Sequence, residues 1–185
     1  GAVMDDQLVA VPATGINEST CQLVAPSPAL REFVYAHEYH APEHDLARAS
    51  YPAWARPYLT LTVVLSGGCS SLESFEYRSG RTRLLPDIIL GGAVTHRVAD
   101  LVSRGTRPGH FTVIFRPEGF YRLFGVKASE LTNQAVSAQQ VLGHPIDLLR
   151  SRMRDALSLA EMVEAAEALL LPRVGTAGQH VEGGG

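Results

Sequence analysis

Between residues 58 and 116 apolar side chains recur at every second position in short segments, and after Pro117 the period changes to that of a helix. Tyr58 to Leu65 sets Leu59, Leu61 and Val63 on one face and Thr60 and Thr62 on the other, which is the side-chain period of a strand. His110 to Arg116 repeats the pattern, with Phe111, Val113 and Phe115 alternating against Thr112 and Ile114. Between them, Leu72 to Arg78 is broken at Ser79-Gly80 in hairpin fashion, with Arg81 to Leu85 as its partner. Asp87 to Leu90 reads as a buried strand stopped by Gly91-Gly92, and Val94 to Leu101 as another. Ser66-Gly67-Gly68 and residues 103–109 read as connections. Short strands at a spacing of about ten residues predict a sandwich or a barrel.

Helical signals flank this region. Ser27 caps and Pro28 suits a first helical position, with Leu30, Phe33 and Val34 on one face, while Tyr35 to Tyr39 turns extended. Pro42, Pro52 and Pro57 forbid a long regular element over 41–57. Residues 118–125 predict a short helix stopped by Gly125, and Ser129 to Thr132 a single turn. Pro145 opens a helix with Ile146, Leu149, Met153 and Leu157 on one face. Ser158-Leu-Ala-Glu161 has the form of a capping box and opens a second, with Leu159, Met162, Val163, Ala166, Leu169 and Leu170 inward and Pro172 as its stop. The organisation is an irregular lead-in over 1–25, a β domain over 26–142, a helical pair over 143–174 and a flexible tail over 175–185. The fold class is α+β. The pair's apolar faces either cover the sheet's own core or form a dimer interface; for the second reading the candidates are Ile146, Leu149, Met153, Met162, Val163, Leu169 and Leu170.

Composition excludes several classes. With 45% of residues hydrophobic and 19% charged, the chain buries a core and is not disordered as a whole. Ile88-Ile89-Leu90 and Leu169-Leu170-Leu171 are far too short to span a bilayer, and the N-terminus lacks a secretory layout, so a cytoplasmic location is expected. Net charge is −3, and its arginine groups (Arg78/Arg81/Arg83 and Arg150/Arg152/Arg154) form no basic strip, Asp147 and Asp155 flanking the second. DNA-reading by this segment is therefore not expected. Cys21 and Cys69 are too few for a disulfide framework and read as reduced thiols.

The densest chemistry is His37-Glu38-Tyr39-His40-Ala41-Pro42-Glu43-His44. His37 and His40 are one residue too close for a zinc-protease pair, and Pro42 breaks the helix that His40 and His44 would need. A solvated polar loop is the plainer reading, and no cofactor or metal is expected. No Gly-x-Ser-x-Gly elbow is present, and Gly67-Gly68 and Gly91-Gly92 do not open helices as phosphate cradles do. If the barrel encloses a ligand, alternation nominates Trp54, Thr60, Thr62, Phe75, Tyr77, His96, Phe111, Val113 and Phe115 as its lining, the two threonines orienting the ligand among aromatics.

Three stretches, in order, carry a family likeness: Pro28-Ala-Leu-Arg-Glu-Phe-Val, Leu90-Gly-Gly-Ala-Val-Thr95, and Phe115-Arg-Pro-Glu-Gly-Phe-Tyr-Arg-Leu-Phe-Gly125 continuing to Asn133. Together they resemble the N-terminal sensor domain of AraC-type bacterial transcription regulators over roughly residues 26–174. The resemblance implies a cupin-like jelly-roll β-barrel holding a small-molecule effector, then helices that mediate homodimerisation, and DNA contact only through a separate module absent here. It implies no catalysis. Tyr121 and Phe124 are then candidate relays between barrel and helices. The alternatives are a metal-dependent cupin-type enzyme using His37, His40, His44, His96 or His110, which lacks the His-x-His of such enzymes here, and an interaction domain with a filled barrel.

Overall fold

The period-two segments become strands that wind into two facing sheets. A computed structural model describes residues 21–40, 48–52, 56–65, 71–104 and 109–180. Trp54, His44, Cys69, the Gly67-Gly68 turn, most of the lead-in and the last five residues of the tail lie outside these. Strands are β1 (Cys21–Val24), β2 (Val34–His40), β3 (Arg48–Pro52), β4 (Thr60–Leu65), β5 (Ser71–Glu76), β6 (Arg81–Leu84), β7 (Ile88–Gly91), β8 (Ala99–Arg104), β9 (Gly109–Phe115) and β10 (Ala135–Ser137). One sheet has the order β1-β2-β9-β4-β7-β10 and the other β3-β8-β5-β6. From β2 to β9 the order pairs first strand with last and works inward on both sheets, which is the winding of a jelly roll. The fold is thus α+β, a jelly-roll barrel followed by helices.

The larger sheet has two unlike faces. Leu61 and Val63 of β4, Phe111, Val113 and Phe115 of β9, and Ile88 and Leu90 of β7 form one apolar surface. Helices α3 (Pro145–Asp155) and α4 (Leu159–Val174) lie on it, joining Ile146, Leu149, Met153, Ala166 and Leu170 to the same cluster. Ile146, Leu149, Met153 and Leu170 are at most 3% exposed, and full burial of such side chains stabilises by about 1.5–3 kcal/mol each. Met162, Val163 and Leu169 are half-buried against that core. All seven proposed dimer-face residues therefore pack on their own chain, because the sheet offers an aliphatic surface that must be covered. Ser158 caps α4 as expected, its Oγ accepting from Glu161 N at 3.2 Å.

Several boundaries differ from expectation. The helix foreseen at Ser27 is a 3-10 turn at Pro28–Leu30, since Val34 is drawn into β2 opposite Phe115. The strand foreseen at Val94 starts at Ala99, because residues before it are held by Arg56 and Asn133 instead. Pro172 sits inside the last turn of α4, near an end where few backbone bonds remain to be lost. Part of the supposed tail forms a 3-10 turn, Ala177–His180, that buries Ala177 in the core. Strand β10 and α2 (Ala138–Leu142) went unforeseen, being too short to show a period.

The three stretches that carry the family likeness meet at one end of the barrel, around α1 (Gly119–Phe124). Arg116 N donates to Phe33 O at 2.9 Å, Arg116 Nε to Arg31 O at 2.6 Å, and the Arg122 guanidinium lies 4.6 Å over the Phe33 ring. Gly119 presses on the Phe33 carbonyl, where a Cβ would sit 2.1 Å from its oxygen. Gly92 lies as tightly against Leu131, with 1.8 Å between such a Cβ and the Leu131 oxygen. Asn133 then binds Thr95, its Oδ1 accepting from Thr95 N at 2.9 Å. Phe120 fills the joint, 5.2 Å from Phe115 and 4.9 Å from Phe124.

Candidate functional site: the polar face between the sheets

The strand period that buries Leu61 and Val63 under the helices turns Thr60 and Thr62 toward the smaller sheet. Register brings further residues to that inner face: Glu38 and Thr112 lie opposite one another, Thr112 lies opposite Thr62, and Thr60 lies opposite Gly91. Ser74 faces them from β5, since its neighbour Phe75 is exposed on the outer side. Thr60 is 1%, Glu38 5%, Thr112 6% and Ser74 6% exposed, so the inner face is polar and buried at once. Its other end is closed by an apolar cluster of Leu72, Leu85 and Ile89, with Val64, Leu101 and Ala135 against it.

Arg56 reaches this face from an isolated bridge to Val94. Its backbone is pinned by two bonds to Val94, each 2.8 Å, and its Nη2 donates to Thr60 Oγ1 at 3.0 Å. Burial pulls the Arg56 pKa below its ordinary value, and the Glu38 carboxylate opposes that shift. The Thr62 and Thr112 hydroxyls are hydrogen-bonded to one another at 3.1 Å. Arg56, Glu38 and the threonine hydroxyls thus gather on one polar face, and such groups can orient a polar small molecule.

The same segment supplies a contact on the opposite face. His37, fully buried, lies 5.7 Å from Phe111, and its Nε2 meets Glu167 Oε2 of α4 at 3.0 Å. Ser27 N also donates to that oxygen, at 2.9 Å. Burial pushes the Glu167 pKa up, but the His37 and Ser27 hydrogen bonds outweigh it and hold the carboxyl below its usual range. Barrel and helix are thereby tied by a polar latch.

Of the nine nominated lining residues, Thr60 and Thr62 lie on the inner face. Phe111, Val113 and Phe115 lie on the other, in the helix-covered core, because the face opposite the threonines is the one the helices need. Phe75 and Tyr77 stand on the outside of the smaller sheet, where Tyr77 bonds Asp100 and accepts from Arg97 at 2.7 Å. His96 is exposed on a loop, bonded to Thr95 at 3.0 Å. Trp54 is outside the described residues. The histidines of the metal reading separate: His37 faces α4, His40 pairs in register with His110 at a ring distance of 6.4 Å, and His96 is remote on its loop. Among the described residues no group of three His, Cys, Asp or Glu side chains is placed to hold a metal ion. Of the two candidate relays, Phe124 reaches the helices, with Arg173 of α4 at 5.4 Å over its ring, and Tyr121 lines a shallow groove with Pro57 and Phe115. Among the described residues no helix is long and apolar enough to cross a membrane.

Sequence reasoning missed Arg56, Glu38, Thr112 and Ser74 as lining. Glu38 and Thr112 were accessible by alternation, as Thr60 was. Arg56 was not, because nothing in the proline-rich stretch around it fixes where its side chain goes.

Comparison with curated proteins finds no match. Among solved structures, the chain is similar to Streptomyces albus HEPD, determined with its substrate 2-hydroxyethylphosphonate and Fe(II) bound, at 14% identity and a TM-score of 0.32. That likeness takes in 96% of this chain and 41% of the other, so the chain spans well under two thirds of that protein. The model of a family described as a domain of unknown function, DUF6597, matches residues 22–137, from β1 through β10, and the chain belongs to that family.

Proposed function

We propose that this chain is the effector-sensing part of an AraC-type transcription regulator, binding a small molecule between its two sheets and conveying occupancy to its helices. One observation carries the reading: the larger sheet's inner face carries Glu38, Thr60, Thr62 and Thr112, with the Arg56 side chain on Thr60, while its outer face, His37 apart, is an apolar core. An interior meant only to be filled would be aliphatic on both faces, since buried polar groups cost stability unless they find partners. The three stretches that resemble AraC-type sensors support the reading, and their convergence on α1 gives the barrel and the helical layer one shared joint. In this role the chain performs no catalysis and reaches DNA only through a separate module. A second copy would associate through the outer side of the helical pair, where Leu148, Leu157 and Leu171 are exposed.

The test is a ligand screen by thermal shift on the chain, repeated on Thr62→Leu, which crowds that face. A ligand at a hundred times its Kd stabilises by about 2.7 kcal/mol. The reading expects a compound whose stabilisation disappears in Thr62→Leu. A chain that no small molecule stabilises, or stabilisation indifferent to that substitution, refutes it. Sedimentation of the chain with and without Leu157→Glu checks the association.

A further inference from the structure

We draw no further inference here: the strongest candidate, the Ser27–His37–Glu167 cluster where β2 meets α4, in which His37 Nδ1 is buried with no hydrogen-bond partner, belongs to the latch already described, and nothing in the structure sets a ligand or a second arrangement against that nitrogen.

Discussion

Replacing Glu167 by alanine removes the latch between α4 and the barrel, and its cost follows from the contacts. One carboxylate oxygen accepts from His37 Nε2 at 3.0 Å and from Ser27 N at 2.9 Å, and the histidine is fully buried. Hydrogen bonds to a charged group contribute about 1.5–3 kcal/mol each. The Glu167 side chain is 12% exposed, so water reaches the vacated position and recovers part of the loss. A net cost of about 3 kcal/mol is expected for Glu167→Ala, and about half that for Glu167→Gln, whose amide oxygen still accepts one bond. Urea unfolding at pH 7, followed by far-UV circular dichroism, measures both. The pH dependence has a definite sign. Because the carboxyl is held below its usual range in the fold, its stabilisation is fully present above the ordinary glutamate value of about 4.3 and is lost as pH falls through the lower folded value. The gap between wild type and Glu167→Gln should therefore be constant near neutrality and narrow in acid. A cost below about 1 kcal/mol for Glu167→Ala, or a gap that widens in acid, would refute the reasoning.

Three further substitutions probe other parts of the argument. Gly92→Ala drives a Cβ into the Leu131 carbonyl, and is expected to cost about 3 kcal/mol or more in a thermal melt or to abolish soluble expression. Glu118, with φ of 65°, holds a left-handed conformation unfavourable for its side chain, so Glu118→Gly should raise stability by about 0.5–1 kcal/mol in the same melt. Asp87 accepts two bonds from Arg150, at 2.6 and 3.1 Å, and the arginine's hydrogen bond holds its carboxyl below the usual range. Asp87 is exposed and Arg150 partly so, hence Asp87→Asn should cost at most about 1 kcal/mol, a difference that shrinks in high salt and below the ordinary aspartate value of about 3.9.

Which parts of this were readable beforehand depended on whether a signal was local. The alternation at 58–65 and 110–116 fixed which side chains share a face, and Gly125, at φ of 73°, ends α1 where its chemistry says it should. Alternation alone left open which face meets the helices. The aromatic face of β9 was assigned to the ligand and the threonines listed beside it, whereas the two lie on opposite sides of one sheet. That choice is settled only when Ile146 and Leu149 need a surface to cover. The helical pair posed the same problem in reverse: its apolar faces were plain, their destination was not. The Arg56–Val94 bridge and the His37–Glu167 contact join residues far apart in sequence, 130 positions in the second case, and no short pattern announces such pairs.

The two-faced sheet has a consequence for how such a chain can diversify. On β4 and β9, and on β2 beyond its bulge between Val34 and Ala36, even-numbered residues face the smaller sheet and odd-numbered ones face the helices. If this face binds a ligand as proposed, substitutions at 38, 60, 62 and 112 change what it accepts while leaving the apolar core untouched. On that reading, specificity and stability are written on alternate letters of the same strands. A one-residue deletion within β4 would exchange the two texts and lose both.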